Sequence, residues 1–230
     1  MKHLFLFDID GTLLNPGPVP RASLNRAFGD ITGREARFRL EDVAGFTDPS
    51  IVRRGLEKVG IDRDQGEMVT RILNRYLQRL EQEYDASPEA FVYSDAVALL
   101  ARLEKKQAYL GLLTGNISRG ARIKLGRFHL FHRFPLGVFG EDGMTRGDLP
   151  QVVRERAWDV FHESFRYEQM IIIGDTVEDG KLARDYGMPS LLVCRRQEWW
   201  EKMEALRPAW LGTSLDDPAC WETIQRLEES

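Results

Sequence analysis

The sequence predicts an α/β protein with a doubly wound parallel sheet and a helical segment inserted after the first strand. Short, unbroken apolar runs alternate with segments of helical periodicity, which is typical of parallel strands that are buried on both faces. Three of those runs end at polar residues, Asp8, Thr114 and Asp175. Residues 16–85 lack strand signals. We therefore predict a core domain of residues 1–15 and 86–230, and a helical cap domain of residues 16–85.

Length and composition exclude several classes of protein. The chain has 230 residues, of which 43% are hydrophobic and 30% charged, and its net charge is −4. Positive and negative residues are interspersed, so we expect neither a nucleic-acid polymer nor a membrane as partner. No apolar run approaches the roughly 20 residues of a membrane span. Cys194 and Cys220 have no metal-binding spacing, and they predict reduced thiols in a cytoplasmic protein.

The first half of the chain is predicted to hold one strand, over residues 4–7, followed by three helices. The first helix ends before Gly33. The second begins at Asp48-Pro49, with Asp48 as the N-cap, and ends at Gly60. The third carries an apolar stripe through residues 69–84. We place these helices over the carboxyl edge of the sheet, where ligands bind in this class of fold and where a cap can exclude water.

The second half returns to alternating strands and helices. Strands are predicted near residues 108–113, 136–139, 169–173, 190–194 and 209–211, and helices near 95–106, 117–126 and from 148 onward. The carboxyl ends of parallel strands meet at one edge of a sheet. The polar residues at three strand ends are therefore expected to converge on one site.

Asp8 and Asp10 are the most informative pair in the chain. They directly follow the first predicted strand and are two residues apart, so extended backbone points both carboxylates to the same side. Two carboxylates held so close repel each other unless a cation lies between them or one of them binds a proton. This pattern predicts metal and phosphate chemistry at the end of the strand.

Three motifs resemble those of the haloacid dehalogenase (HAD) superfamily. Asp-x-Asp-Gly-Thr-Leu at residues 8–13 resembles the first motif, Leu-Leu-Thr-Gly-Asn at 112–116 the second, and Gly-Asp-Thr-x-x-Asp at 174–179 the fourth. The motifs follow the order of the family and span almost the whole chain. The likeness is to phosphoglycolate phosphatase-like members with a small helical (C1-type) cap. It implies a Rossmann-like core and a phosphatase that acts on a small phosphorylated metabolite.

The resemblance also implies roles for the acidic residues. Asp8 would be the nucleophile that forms an aspartyl-phosphate, and Asp10 the general acid and base. Mg²⁺ would be held by Asp8, by the backbone carbonyl of Asp10 and by Asp175, with Asp179 supporting the metal from behind these ligands. The phosphate-binding residues would be Gly11, Thr114, Gly115 and Asn116, through the Thr114 hydroxyl and nearby backbone N–H groups.

The third motif departs from the family pattern. This chain has Arg146-Gly-Asp-Leu-Pro where related phosphatases carry Arg-Gly-Lys-Pro, so the lysine that steadies the nucleophile and the phosphate is missing. Lys124, on the predicted helix after Thr114, could supply the cation, and so could Arg146, a planar ligand for phosphate. We favour Lys124, and expect the other residue to be a solvated surface charge.

Residues 45–48, Gly-Phe-Thr-Asp, resemble the Gly-x-Thr-Asp loop of HAD proteins with a helical cap. In such proteins this loop faces the active site and helps to select the substrate. The resemblance therefore implies that Phe46, Thr47 and Asp48 form a substrate loop. The alternative for Asp48 is a purely structural N-cap.

Several functions remain open at this point. A phosphatase is favoured over a dehalogenase because Asp10 is present. A sugar phosphomutase uses the same two aspartates, and a catalytically weak binding or regulatory module would explain the altered third motif. A receiver-type phosphoacceptor is a weaker alternative, because it needs neither Asp10 nor a cap of this size. The Trp199-Trp200 pair is compatible with a monomer or a weak homodimer.

Overall fold

The computed structural model describes residues 2–62 and 65–229. Its centre is a six-stranded sheet in which every neighbouring pair of strands is parallel, as predicted. Its strands are β1 Leu4–Phe7, β4 Tyr109–Leu113, β5 Leu136–Val138, β6 Met170–Gly174, β7 Ser190–Val193 and β8 Trp210–Gly212. Two further strands, β2 Leu14–Asn15 and β3 Phe91–Val92, pair with each other outside this sheet. The order in the sheet is β5-β4-β1-β6-β7-β8, so β1 is central, between β4 and β6.

Helices surround this sheet and also form the segment between β2 and β3. They are α1 Val19–Thr32, α2 Leu40–Val43, α3 Asp48–Lys58, α4 Gln65–Glu83, α5 Ser94–Lys105, α6 Ser118–Gly126, α7 Leu149–Phe161, α8 Val177–Tyr186, α9 Trp200–Glu204 and α10 Pro218–Glu229. Among the described residues, no helix is both long enough and apolar enough to cross a membrane.

Helices cover both faces of the sheet, and successive side chains of a strand point to opposite faces. Phe5 and Phe7 of β1 pack in one apolar cluster with residues of α5, α6 and α10. Leu4 and Leu6 pack in a second cluster with residues of α7 and α8. Each of these side chains contributes about 1.5–3 kcal/mol through burial. Burial on both faces accounts for the unbroken apolar runs in the sequence.

The helical segment has an apolar core of its own. Most of this cluster comes from α1, α3 and α4, including Phe28, Val52, Leu56 and Ile72, and Ile117 at the start of α6 also belongs to it. The chain enters and leaves the segment beside the short antiparallel pair β2–β3, in which Leu14 faces Val92 and Asn15 faces Phe91. Sequence patterns did not predict this pair, because strands of two residues are too short to show a period.

The start of α3 corrects one prediction. Thr47, not Asp48, is the N-cap, and its hydroxyl accepts a hydrogen bond from the backbone N–H of Ser50 at 3.3 Å. Asp48 is the first helical residue, and its carboxylate accepts from the backbone N–H of Ile117 at 2.9 Å. Neighbouring polar residues compete for a cap position. Here the contact with the start of α6 decides between them, and sequence spacing does not reveal that contact.

Candidate active site

The three central strands bring the predicted site residues to one edge of the sheet. Asp8 follows β1, Thr114 follows β4 and Asp175 follows β6, and these strands are neighbours in register. Carboxylate oxygens of Asp8, Asp175 and Asp179 all lie within 4.8 Å of one another. The convergence expected from topology is therefore present in the structure.

Burial and mutual repulsion strongly affect these carboxylates. Burial, followed by the charges of Asp179 and Asp10, raises the pKa of Asp8 to about 7, although Arg146 and Thr114 act in the opposite direction. Burial, together with the charges of Asp179 and Asp8, raises the pKa of Asp175 well above its usual range. The Oδ1 atom of Asp8 is buried, and it accepts no hydrogen bond from any described residue. Additional positive charge would therefore stabilise the ionised form of these carboxylates.

The Gly-Thr pair after Asp10 shapes the turn that receives Asp175. Gly11 has a φ of +89°, and a Cβ atom built there would lie 1.9 Å from Oδ2 of Asp175. Only glycine fits this position, both for its backbone conformation and for the space. The hydroxyl of Thr12 donates to Oδ1 of Asp175 at 3.1 Å, which leaves Oδ2 without a hydrogen-bond partner among the described residues.

Arg146 joins the acidic cluster to the helical segment. Its guanidinium donates to Oδ1 of Asp179, lies 3.7 Å from Oδ1 of Asp8, and donates to the carbonyl oxygen of Gly45 at 3.1 Å. The other oxygen of Asp179 accepts two hydrogen bonds from Thr176, one from the backbone N–H at 3.0 Å and one from the hydroxyl at 2.6 Å. Both oxygens of Asp179 thus already accept hydrogen bonds from the protein.

Lys124 holds Asp10 and the predicted phosphate loop. Its ammonium donates to Oδ2 of Asp10 and to Oδ1 of Asn116, the latter at 2.6 Å. The amide of Asn116 in turn donates to Asp10 at 3.2 Å and to the Thr114 hydroxyl at 3.0 Å. This network fixes the general-acid candidate against the loop that ends β4.

Neither candidate cation is a solvated surface charge. The side chain of Lys124 is 3% exposed and that of Arg146 is 11% exposed. The expectation that one of them is a solvated surface charge was therefore wrong. Sequence spacing treats them as alternatives, whereas the fold places them at different carboxylates.

The loop of residues 44–48 packs tightly on the core domain. A Cβ atom on Gly45 would lie 2.6 Å from Cβ of Glu178, and one on Gly115 would lie 2.1 Å from the carbonyl oxygen of Phe46. The backbone N–H of Asp48 donates to the carbonyl of Gly115 at 2.8 Å. Burial raises the pKa of Asp48 to about 6, although the charge of Lys124 and the Ile117 N–H oppose this. Of the predicted substrate loop, Phe46 and Asp48 line the cavity described next, while the Thr47 hydroxyl caps α3.

A cavity of about 840 Å³ opens over these residues, between the helical segment and the sheet. Sequence reasoning missed two residues that line it. Tyr76 was assigned only to the apolar stripe of α4, although a tyrosine among leucines and isoleucines was a usable signal. No sequence pattern singled out Arg195. It donates to Asp95 at 2.9 Å and to the carbonyl of Gly11 at 3.3 Å, so it supports the turn behind Asp8.

These residues fit a hard divalent cation. Asp8 and Asp175 are buried carboxylates with raised pKa values, and Oδ1 of Asp8 accepts no hydrogen bond from any described residue. Carboxylate oxygens are the ligands that Mg²⁺ prefers. A cation between them would offset both the burial and the mutual repulsion that raise the two pKa values.

The family of the chain follows from its sequence as well as its fold. A sequence model of the family described as haloacid dehalogenase-like hydrolase matches residues 5–193. The chain belongs to this family, and the resemblance seen in its motifs is confirmed.

Named relatives narrow the class further. The chain is 28% identical over 189 residues to a phosphoglycolate phosphatase from Cereibacter sphaeroides, which covers 80% of this chain and 81% of that protein. Its fold is similar to CbbY from Rhodobacter sphaeroides in complex with phosphate, with a TM-score of 0.71 and 16% identity over 94% of this chain and 96% of that one. It is also similar to a hydrolase from Pseudomonas syringae, with a TM-score of 0.71 and 17% identity over 99% of each chain. The chain is therefore an enzyme of this hydrolase family, of the phosphatase kind to which its curated relatives belong.

Proposed function

We propose that the protein is a Mg²⁺-dependent phosphatase that hydrolyses a small phosphomonoester through an aspartyl-phosphate on Asp8. The observation that carries this proposal is the convergence of Asp8, Asp175 and Asp179 within 4.8 Å at the edge of the sheet. Family membership and the phosphatase relatives support it.

In the first step, a carboxylate oxygen of Asp8 attacks phosphorus, and the bond from phosphorus to the leaving oxygen breaks. Asp10 donates a proton to that oxygen. In the second step, Asp10 removes a proton from water, which attacks the phosphorus of the aspartyl-phosphate and releases inorganic phosphate and the Asp8 carboxylate. Lys124 holds Asp10 in place through both steps.

Asp8, Asp175 and the backbone carbonyl of Asp10 would hold Mg²⁺. When bound, the cation neutralises charge and so lets a phosphate dianion approach a carboxylate. Thr114, with the N–H groups of Gly115 and Asn116, would donate to the phosphoryl oxygens. Arg146 would place a second positive charge beside Asp8, from which it now lies 3.7 Å.

We also propose that residues 16–85 act as a cap over this site, with residues 1–15 and 86–230 as the core domain. The apolar cluster formed mainly by α1, α3 and α4 supports this division, and the packing of loop 44–48 on the core gives the cap one of its contacts. A cytoplasmic location is part of the proposal, since Cys194 and Cys220 are both buried free thiols.

The test is hydrolysis of p-nitrophenyl phosphate with Mg²⁺ or with EDTA. We expect EDTA and Asp8→Asn each to abolish turnover, while Asp159→Asn, an exposed acid on α7, keeps it. In Asp10→Asn, aspartyl-phosphate should accumulate and be detected by mass spectrometry after acid quenching. Formation of the aspartyl-phosphate still proceeds in this variant, because nitrophenolate leaves without needing a proton. Its hydrolysis slows, because the attacking water no longer has a general base.

Two results would contradict the proposal. Hydrolysis that survives Asp8→Asn would exclude the nucleophile. Failure of the wild-type protein to hydrolyse any phosphoester would favour a binding or regulatory module.

A further inference from the structure

The cavity between the helical segment and the sheet is large for a two-carbon acid. Its volume of about 840 Å³ lies high in the range of about 300–1,000 Å³ that drug-sized ligands occupy. The loop of residues 44–48 is already seated on the core, through Gly45 against Glu178 and the Phe46 carbonyl against Gly115. Further closure on this side would force backbone atoms into contact. Room for a leaving group beyond the phosphate therefore remains.

Two polar side chains of the helical segment line this cavity without using their full hydrogen-bonding capacity. Tyr76 of α4 is only 2% exposed, and its hydroxyl makes no hydrogen bond to any described residue. One oxygen of Asp48 accepts from the Ile117 N–H, and the other accepts from no residue in the described part of the chain. The charge of Asp48 acts on Tyr76, whose pKa is raised mainly by burial. A hydrogen-bond donor and an acceptor are thus available in the same cavity.

The deep cations of the cavity are already paired with carboxylates. Lys124 bonds to Asp10, Arg146 to Asp179, and Arg195 to Asp95. Two further arginines line the cavity, Arg21 and Arg196, and both are exposed. A short acidic leaving group would consequently find the deep cations already paired, while the carboxylate of Asp48, which forms no ion pair with a described residue, also lines the cavity, and like charges repel.

We propose that Tyr76 and Asp48 recognise a hydroxyl group on the leaving group, so that the enzyme prefers the phosphate ester of an uncharged polyol or sugar to that of a short carboxylic acid. The Asp48 carboxylate accepts a hydrogen bond from the substrate hydroxyl, and the Tyr76 hydroxyl donates one to the oxygen of that hydroxyl. A buried acceptor left without a partner is costly, which makes such a pair selective. This inference rests on the proposed phosphatase function.

The test compares two substrates of nearly equal length, 2-hydroxyethyl phosphate and phosphoglycolate, by kcat/KM. We expect the wild-type enzyme to prefer the hydroxyl compound about tenfold or more, as one or two hydrogen bonds allow. Tyr76→Phe keeps the ring and should lower this preference about five- to tenfold. Asp48→Asn keeps an acceptor for the Ile117 N–H but removes the charge, and it should shift the preference towards phosphoglycolate.

Tyr167→Phe is the matched control, because Tyr167 packs on Tyr186 and does not line this cavity. It should leave the substrate preference unchanged. A wild-type preference for phosphoglycolate would overturn the inference, and so would equal losses on both substrates in Tyr76→Phe. Asp8-dependent hydrolysis of p-nitrophenyl phosphate, which has neither hydroxyl nor carboxylate, reports separately on the proposed function. If that hydrolysis is present without the hydroxyl preference, the inference about the substrate is wrong and the proposed phosphatase function still holds.

Discussion

At the scale of single residues, two largely buried cations contact different carboxylates of the candidate site. Lys124 contacts Asp10, while Arg146 contacts Asp179 and the Gly45 carbonyl and lies near Asp8. Asp8, Asp10 and Asp179 therefore each have a positive charge nearby, even though residue 148 is an aspartate. The planar guanidinium suits Arg146, since it makes several contacts at once.

Arg146→Lys should lower kcat/KM about tenfold to a hundredfold, because an ammonium group cannot reach Asp179, Asp8 and the Gly45 carbonyl together. The Mg²⁺ concentration for half-maximal activity should rise as well, since the acidic cluster becomes less well ordered. Steady-state kinetics over a Mg²⁺ titration measures both. Arg133→Lys is the control, because Arg133 pairs with Glu104 away from the site. Wild-type kinetics in Arg146→Lys would show that the guanidinium has no part in the site.

The loop of residues 44–48 is the important contact at the scale of structural elements. It joins α2 to α3, and it touches the loop after β4 through Gly115 and the start of α8 through Glu178. The backbone bond from Asp48 to the Gly115 carbonyl, at 2.8 Å, places the proposed phosphate-binding loop against the proposed cap. The position of one loop therefore depends on that of the other.

Gly115→Ala should disturb both loops, since the added methyl would lie 2.1 Å from the Phe46 carbonyl oxygen. We expect a loss of about 1–3 kcal/mol in the free energy of unfolding, as for other overpacked sites, and a lower kcat/KM for p-nitrophenyl phosphate. Denaturant unfolding and steady-state kinetics measure the two effects. Gly126→Ala is the matched control, because no atom lies within 4 Å of a Cβ there. Equal behaviour of the two variants would contradict the proposed contact.

The element boundaries show which parts of the fold could be predicted. Strands β1, β4 and β6 were found because burial on both faces leaves an apolar run, and α3 and α4 because one buried face leaves a helical stripe. The β2–β3 pair and the Thr47 cap were missed, because both depend on contacts between residues distant in sequence or on competition between neighbours.

The acidic cluster links stability to pH at the scale of the whole molecule. Asp8 has a pKa of about 7 in the folded protein, and Asp175 is also raised. An unfolded chain releases these protons at lower pH, so between the two values the folded state binds more protons. The free energy of unfolding therefore decreases as pH rises towards neutrality, unless a cation replaces the protons.

In EDTA, the wild-type Tm should fall by a few degrees more than that of Asp8→Asn between about pH 5.5 and about pH 7.5. Mg²⁺ should raise the wild-type Tm more at the higher pH, because its ligands must be deprotonated. Differential scanning calorimetry measures both shifts, with Asp159→Asn as the control. A Mg²⁺ stabilisation equal at both pH values would contradict the proton–metal competition.

The sequence by itself determined the class of fold, the family and the strand-end residues, because local periodicity and short motifs record which faces are buried and where strands end. Only the tertiary structure decided that Lys124 and Arg146 serve different carboxylates, that Thr47 rather than Asp48 caps α3, and that Tyr76 faces the cavity. These are contacts between elements distant in the sequence, such as α6 with Asp10 or α3 with Ile117. Helical spacing shows on which face a residue lies, and the packing of that face on another element sets which atoms it meets.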